Sequence, residues 1–175
     1  GVDLSALTVV PGGRSFHWSG FYKGSMHEAI TRETVLGVVE DYRPVVPEAV
    51  RASARHILLG NLDPEQQIEV LDQMISPELV VVDTMNLWIQ TKRLELLKVL
   101  RRADIVVVND QEARLLGETI ALRDCARYLL GLGCRFVIIK KGENGAELHG
   151  HDNYFFSLPA FPIEILMDPT GAGDS

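Results

Sequence analysis

The residues best suited to chemistry stand at the end of the chain, in Asp168-Pro169-Thr170-Gly171-Ala172-Gly173-Asp174-Ser175. Two glycines flank a small residue, a carboxylate follows at once, and an apolar run from Ile163 to Met167 leads in. That grammar fits a strand turning sharply into a helix. Glycine permits positive φ and close backbone approach. A helix start offers unpaired N–H groups and the positive end of the macrodipole, which together form an anion site. Asp174, in the first turn of such a helix, stands beside the anion and is placed to take a proton from a hydroxyl that attacks a phosphate. The plain alternative is an ordinary strand-to-helix turn whose Asp caps the helix.

Other polar endings follow apolar runs: Gly60-Asn61, Asp83 with Asn86, Asn109-Asp110-Gln111-Glu112 and Lys140-Lys141-Gly142-Glu143. Ligands in open α/β sheets bind beyond the carboxyl ends of the strands, so these endings are expected on one rim with Gly171 to Asp174. Asn109 and Glu112 are hard oxygen donors of the kind Mg²⁺ accepts, often through water. They serve equally as a helix cap and a first-turn acid. Either lysine offers a phosphate a point charge, or is a solvated strand end. Gly142 allows close backbone approach. Asn86 reads as the cap of the helix at Trp88.

The terminal octapeptide resembles the C-terminal signature of the ribokinase-like (PfkB-type) carbohydrate and nucleoside kinases. The resemblance runs in order through a lid-like start, an α/β core, Asn109-x-x-Glu112, the glycine turn at Gly142 and the signature itself. It implies ATP-dependent phosphorylation of a sugar hydroxyl. The alternatives are a nucleoside kinase and a non-catalytic, nucleotide-binding kinase-like protein. It also implies roles for residues. Asp174 is the general base, and the N–H groups of Gly171, Ala172 and Gly173 form the anion hole. Thr170, Lys141, Gly142, Asn109 and Glu112 face ATP, with Mg²⁺ held by Glu112 and, through water, Asn109. The implied partner is a small sugar or nucleoside, with a homodimer formed through the lid. The chain departs from the family's pattern at some positions. Two lysines precede Gly142 where many members carry a threonine. Asp83-x-x-Asn86 replaces Asp-x-Asn, which puts a phosphate role there in doubt. Gly12-Gly13 is followed by Arg14-Ser15-Phe16 and is not the family's substrate motif. The family's N-terminal part and its C-terminal helix with the adenine pocket are expected to lie outside this sequence.

Continuous apolar strands alternating with helices predict a parallel sheet with helices on both faces, and the resemblance implies that this is a ribokinase-like α/β fold with a small β lid. Residues 1–40 read as the lid segment and 41–175 as an incomplete kinase core. Ser15 to Phe21 alternates polar and apolar, and Thr34 to Val39 is a second β-branched run. Phe16, Trp18 and Phe21 are read as packing within the lid, with a substrate-facing role as the alternative. Pro47 to Arg55 is a short helix. Asp63-Pro64-Glu65-Gln66 opens another, with an Asp cap, Pro at the first position and Gln three after the cap. Ile68, Leu71 and Ile75 share its apolar face. Trp88 to Arg102 is an amphipathic helix with Leu94, Leu97 and Leu100 in register. Continuous runs at His56–Gly60, Leu79–Asp83, Ile105–Val108 and Phe136–Ile139 are buried strands. A hairpin crosses His149 to Asn153, where His149 and His151 are read as solvated.

Composition narrows the classes. Seventeen basic against twenty-four acidic residues leave a net charge of −7, which argues against a nucleic-acid partner. A phosphate site needs only local positive potential. Cys125 and Cys134 read as buried free thiols, which fits a reducing cytoplasm. No apolar run reaches membrane length.

Overall fold

The structure is a computed structural model that describes residues 2–22, 29–164 and 171. The alternating stretch near the start forms strand β1 (His17–Tyr22), paired antiparallel with β2 (Ala29–Val35). The second strand thus begins well before Thr34, and the run to Val39 is divided. Gly37 turns the chain at φ +58, and Gly37–Val39 is a short 3-10 turn. A Cβ on Gly37 would meet the Arg14 carbonyl oxygen at 2.2 Å, so this crossing admits only glycine. The Trp18 indole N–H donates to Thr31 Oγ1 at 3.1 Å, and the Arg32 guanidinium lies 4.8 Å from the centre of the Phe21 ring. Phe16 and Phe21 stay exposed rather than packed. A two-stranded sheet has no second layer to bury them.

Helix and strand then alternate. Helix α1 (Glu48–Ser53) leads to β3 (His56–Leu59), α2 (Pro64–Gln73) and β4 (Leu79–Asp83). Helices α3 (Asn86–Thr91) and α4 (Arg93–Leu100) precede β5 (Ile105–Asn109). Helices α5 (Asp110–Gly117) and α6 (Leu122–Leu130) precede β6 (Phe136–Lys140). The antiparallel strands β7 (Ala146–Gly150) and β8 (Phe155–Leu158) follow. Asp63 caps α2 by accepting from the Glu65 N–H at 2.9 Å, with Pro64 at the first helical position. Gln66 does not close a capping box. Its buried amide instead donates to the carbonyls of Val39 and Tyr42, at 2.6 and 2.8 Å, and ties the preceding segment to α2. Ile75 lies past the helix end and is exposed.

The six-stranded sheet has the order β3-β4-β5-β6-β7-β8, so every strand pairs with its neighbour in sequence. β3 to β6 are parallel, and β7 and β8 complete the sheet antiparallel. The strand members of the buried cluster are Leu59, Val80, Val82, Val106, Val108, Val137 and Ile139. Strand register places them all on one face. Leu71, Ile89, Leu96, Val99, Leu116 and Leu129 of α2 to α6 pack against them. Side chains on the other face, such as Val81, Ile105, Val107 and Ile138, are only half-buried, and Leu58 is 72% exposed. Among the described residues, the deep packing is therefore on one side of the sheet.

The expected helix from Trp88 to Arg102 is broken at Lys92, whose backbone (φ −134, ψ 40) leaves the helical region. The Lys92 ammonium binds Asp63 at 2.7 Å and Glu65 at 2.9 Å, and the Asp63 bond in particular raises its pKa. The break rotates the register, so Leu96, Val99 and Leu100 are buried while Leu94 is 72% exposed. Leu94→Ala is therefore expected to change stability by no more than about 0.5 kcal/mol. An unbroken helix with Leu94 in the core would lose about 2–5 kcal/mol. Urea denaturation of the variant separates these outcomes.

The β7–β8 turn places Asp152 and Asn153 at φ 56 and 61, and the Tyr154 N–H donates to the His151 carbonyl. This is the two-residue hairpin geometry that matches strand twist. His149 is buried rather than solvated, because β7 directs it toward the α6 side of the sheet. Cys125 and Cys134 are both free and buried, and burial pushes the Cys134 thiol up to about 11. No helix among the described residues is long and apolar enough to cross a membrane.

Candidate active site

The parallel strands bring their carboxyl ends to one rim. Asn109 ends β5 directly opposite Lys140, which ends β6. The Lys140 ammonium lies 3.5 Å from the Asp83 carboxylate at the end of β4. Beyond β3, Asn61 accepts from the Trp88 indole N–H at 2.8 Å. The Gln67 amide donates to the carbonyl oxygens of Gly60 and Asp83, at 2.8 and 3.4 Å. Asp83, Asn109 and Lys140 are thus gathered as the polar strand endings imply.

Helix α5 starts at this rim with a reciprocal cap. Asn109 Oδ1 accepts from the Glu112 N–H at 2.8 Å, and Glu112 Oε2 accepts from the Asn109 N–H at 2.7 Å. Glu112 is only 6% exposed. Burial, its largest influence, pushes the carboxyl up to about 7. The Asn109 N–H and the Lys140 charge pull it down, and the carboxylates of Asp83 and Asp110 push it further up. Asp110 itself is paired with Arg114 one turn along the helix. The capping function uses one carboxylate oxygen of Glu112, so it does not exclude a ligand at the other.

Lys141 turns away from Asp83. Its ammonium donates to Glu147 Oε1 on β7 at 2.7 Å, while Glu147 Oε2 lies 3.1 Å from His149 Nε2. Burial opposes ionisation of Glu147, but its bonds with Lys141 and His149 outweigh it and hold the carboxyl below its ordinary range. Gly142 opens a short 3-10 turn at φ +55 with open space where a Cβ would point. Gly145, which closes that turn at φ +80, is the sterically obligatory glycine. A Cβ there would stand 1.9 Å from the Leu158 carbonyl oxygen.

Asn86 is the first helical residue of α3 rather than its cap, and the preceding Met85 provides no side-chain cap. Asn86 Oδ1 and the hydroxyl of the buried Thr84 have no hydrogen-bond partner among the described residues. Thr84 was not legible as a rim residue, since its type and position carry no motif. Gly171 is exposed at φ +79 with room on its Cβ side. Thr170, Ala172, Gly173 and Asp174 lie outside the described residues.

Comparison with known proteins agrees with this architecture. The model of the pfkB family of carbohydrate kinases matches residues 54–175. A cytidine kinase from Thermococcus kodakarensis is 31% identical over 183 residues, covering 99% of this chain and 62% of the relative. The chain thus spans about three-fifths of that protein's length. A nucleoside kinase of Burkholderia thailandensis, solved with inosine, superposes with a TM-score of 0.74 at 20% identity, covering 99% of this chain and 56% of its own. A ribokinase-type protein of E. coli, solved with ATP and Mg²⁺, gives 0.57 at 22% identity, covering 74% and 45%. These two structures establish the ribokinase-like fold. The family match over the greater part of the sequence establishes that the chain belongs to the pfkB family of carbohydrate kinases.

Proposed function

We propose that the complete protein transfers the terminal phosphoryl group of ATP to a sugar hydroxyl, with the ribose of a nucleoside as the favoured acceptor. The observation that carries the reading is the rim itself, where Asp83, Asn109, Glu112 and Lys140 meet at the carboxyl ends of adjacent strands. The cytidine kinase relative favours a nucleoside over a free sugar. Asp174 accepts the hydroxyl proton. The backbone N–H groups of Gly171, Ala172 and Gly173 face the charge that develops on the transferring group, where one preorganised donor is typically worth about 3 kcal/mol. Gly142 lets the backbone approach the nucleotide. Of the two lysines, Lys140 already stands on the rim, whereas Lys141 must leave Glu147 to reach a phosphate. The β1–β2 sheet closes over the acceptor and excludes water.

Mg²⁺ fits this rim in an outer-sphere role. Among the described residues, no three His, Cys, Asp or Glu side chains come together to hold a metal ion. Glu112, with one carboxylate oxygen uncommitted to its cap, and Asn109 would therefore hold the ion through water. When bound, it neutralises phosphate charge. The free, buried thiols accord with a cytoplasmic setting.

An acceptor panel tests the assignment. With the full-length protein and ATP, ADP formation is expected with cytidine or inosine at a kcat/KM at least about a hundredfold above that for ribose or fructose, well within the roughly 10⁴–10⁵-fold by which buried polar groups left unpaired reject an incomplete substrate. Turnover of free sugars alone would restore the carbohydrate reading, and no ADP with any acceptor would overturn both.

A further inference from the structure

A cavity remote from this rim lies between α6 and the β7–β8 hairpin and has a volume of about 380 Å³. Because β7 runs antiparallel to β6, Gly150 in its wall sits opposite Phe136, at the other end of β6 from Lys140. Arg123, Arg127, His149 and His151 line it, against a single carboxylate, Asp152. The Arg127 guanidinium is 2.7 Å from Asp124 on its own helix. Arg123 donates to the neutral Asn153 Oδ1 at 3.5 Å and has no carboxylate partner among the described residues. The ring of Tyr154 adds an apolar wall. A planar guanidinium fork matches phosphate oxygens, and the volume suits a small ligand of one or two rings.

We propose that this cavity binds a small phosphomonoester carrying a ring, a sugar phosphate or a nucleoside monophosphate, and that its occupancy strengthens nucleotide binding at the far rim. The link is a chain of hydrogen-bonded side chains between β7 and the end of β6. His149 forms part of the cavity wall and is bonded to Glu147, and Glu147 holds Lys141 beside the Gly142 turn. An anion held in the cavity beside His149 fixes the orientation of that ring toward Glu147. The ring then draws on the Glu147 carboxylate and loosens its hold on Lys141, which becomes available to a nucleotide phosphate. The second half of the proposal rests on the nucleotide role given above to the Gly142 turn.

Calorimetry on the full-length protein tests both halves without requiring turnover. Ribose 5-phosphate, CMP and inorganic phosphate are titrated with the nucleotide site already filled by a non-hydrolysable ATP analogue. Ribose 5-phosphate or CMP is expected to bind one to one and more tightly than phosphate, with the preference between them naming the source. Arg123→Ala, at an exposed position, is expected to weaken binding at least about tenfold, a loss that one charge-assisted contact accounts for. In the reverse order, the phosphomonoester is expected to tighten analogue binding about fivefold. That gain disappears in Glu147→Gln, which keeps the side-chain shape and removes the charge. An absence of binding to the nucleotide-filled protein, binding indifferent to Arg123→Ala, or binding that leaves analogue affinity unchanged each overturns the proposal.

Discussion

Asp174→Asn in the full-length protein is expected to lower kcat by about 10²–10⁴-fold, the range a positioned general base supplies, while leaving ATP binding intact. The substitution preserves size and the ability to cap a helix, and removes the proton acceptor. A carboxylate that served only as a cap would be replaced by asparagine at almost no cost. The paired measurement is therefore single-turnover phosphoryl transfer alongside equilibrium nucleotide binding. Loss of transfer with retained binding assigns the base; full activity removes that assignment. A joint loss of both would mean that the side chain organises the nucleotide site instead.

Glu112→Gln is expected to make the protein more stable above neutrality and slower as a catalyst. Glutamine can still accept from the Asn109 N–H, so the reciprocal cap survives. What disappears is a buried charge. The Glu112 pKa is raised from its ordinary 4.5 to about 7 in the fold, chiefly by burial. The folded state therefore binds the proton more tightly than the unfolded chain. The resulting stabilisation is complete below pH 4.5 and is lost as pH rises through about 7. At about 1.4 kcal/mol per pH unit, roughly 3 kcal/mol is at stake across that window. Denaturant titrations from pH 5 to 8 should show the native protein losing stability relative to the variant, whose slope from this site is abolished. Activity then decides between the two roles that Asn109-x-x-Glu112 allows. A cap alone gives a variant that is stabler and equally active. A stabler but slower variant shows that the fold tolerates a buried acid for the sake of the reaction.

The rhythm of the α/β core was legible because parallel strands buried against helices are written as uninterrupted Val, Ile and Leu, as in Leu79–Val82 and Ile105–Val108. The Asp63 cap and the start of α5 at Asn109 were legible because capping chemistry is local. The break at Lys92 was not. Leu94, Leu97 and Leu100 keep helical spacing as well as Leu96 and Leu100 do, and the choice depends on an ion pair with Asp63 far back in the sequence. The pairing of Lys141 and the burial of His149 were not legible for a related reason. Both belong to Glu147, and cross-strand partners exist only once register is set. The rim at Asp83, Asn109 and Lys140 followed from topology, whereas the unpartnered Thr84 hydroxyl beside it needed coordinates.

Each strand of the main sheet lies beside the strand before it in the chain. Among the described strands, none must wait for one distant in sequence to complete its ladder. Contacts of short sequence separation lower the entropic barrier to assembly and speed it. Synthesis from the N-terminus delivers β3 first and β8 last. The sheet can consequently grow by adding one strand at a time at its leading edge as the polypeptide leaves the ribosome.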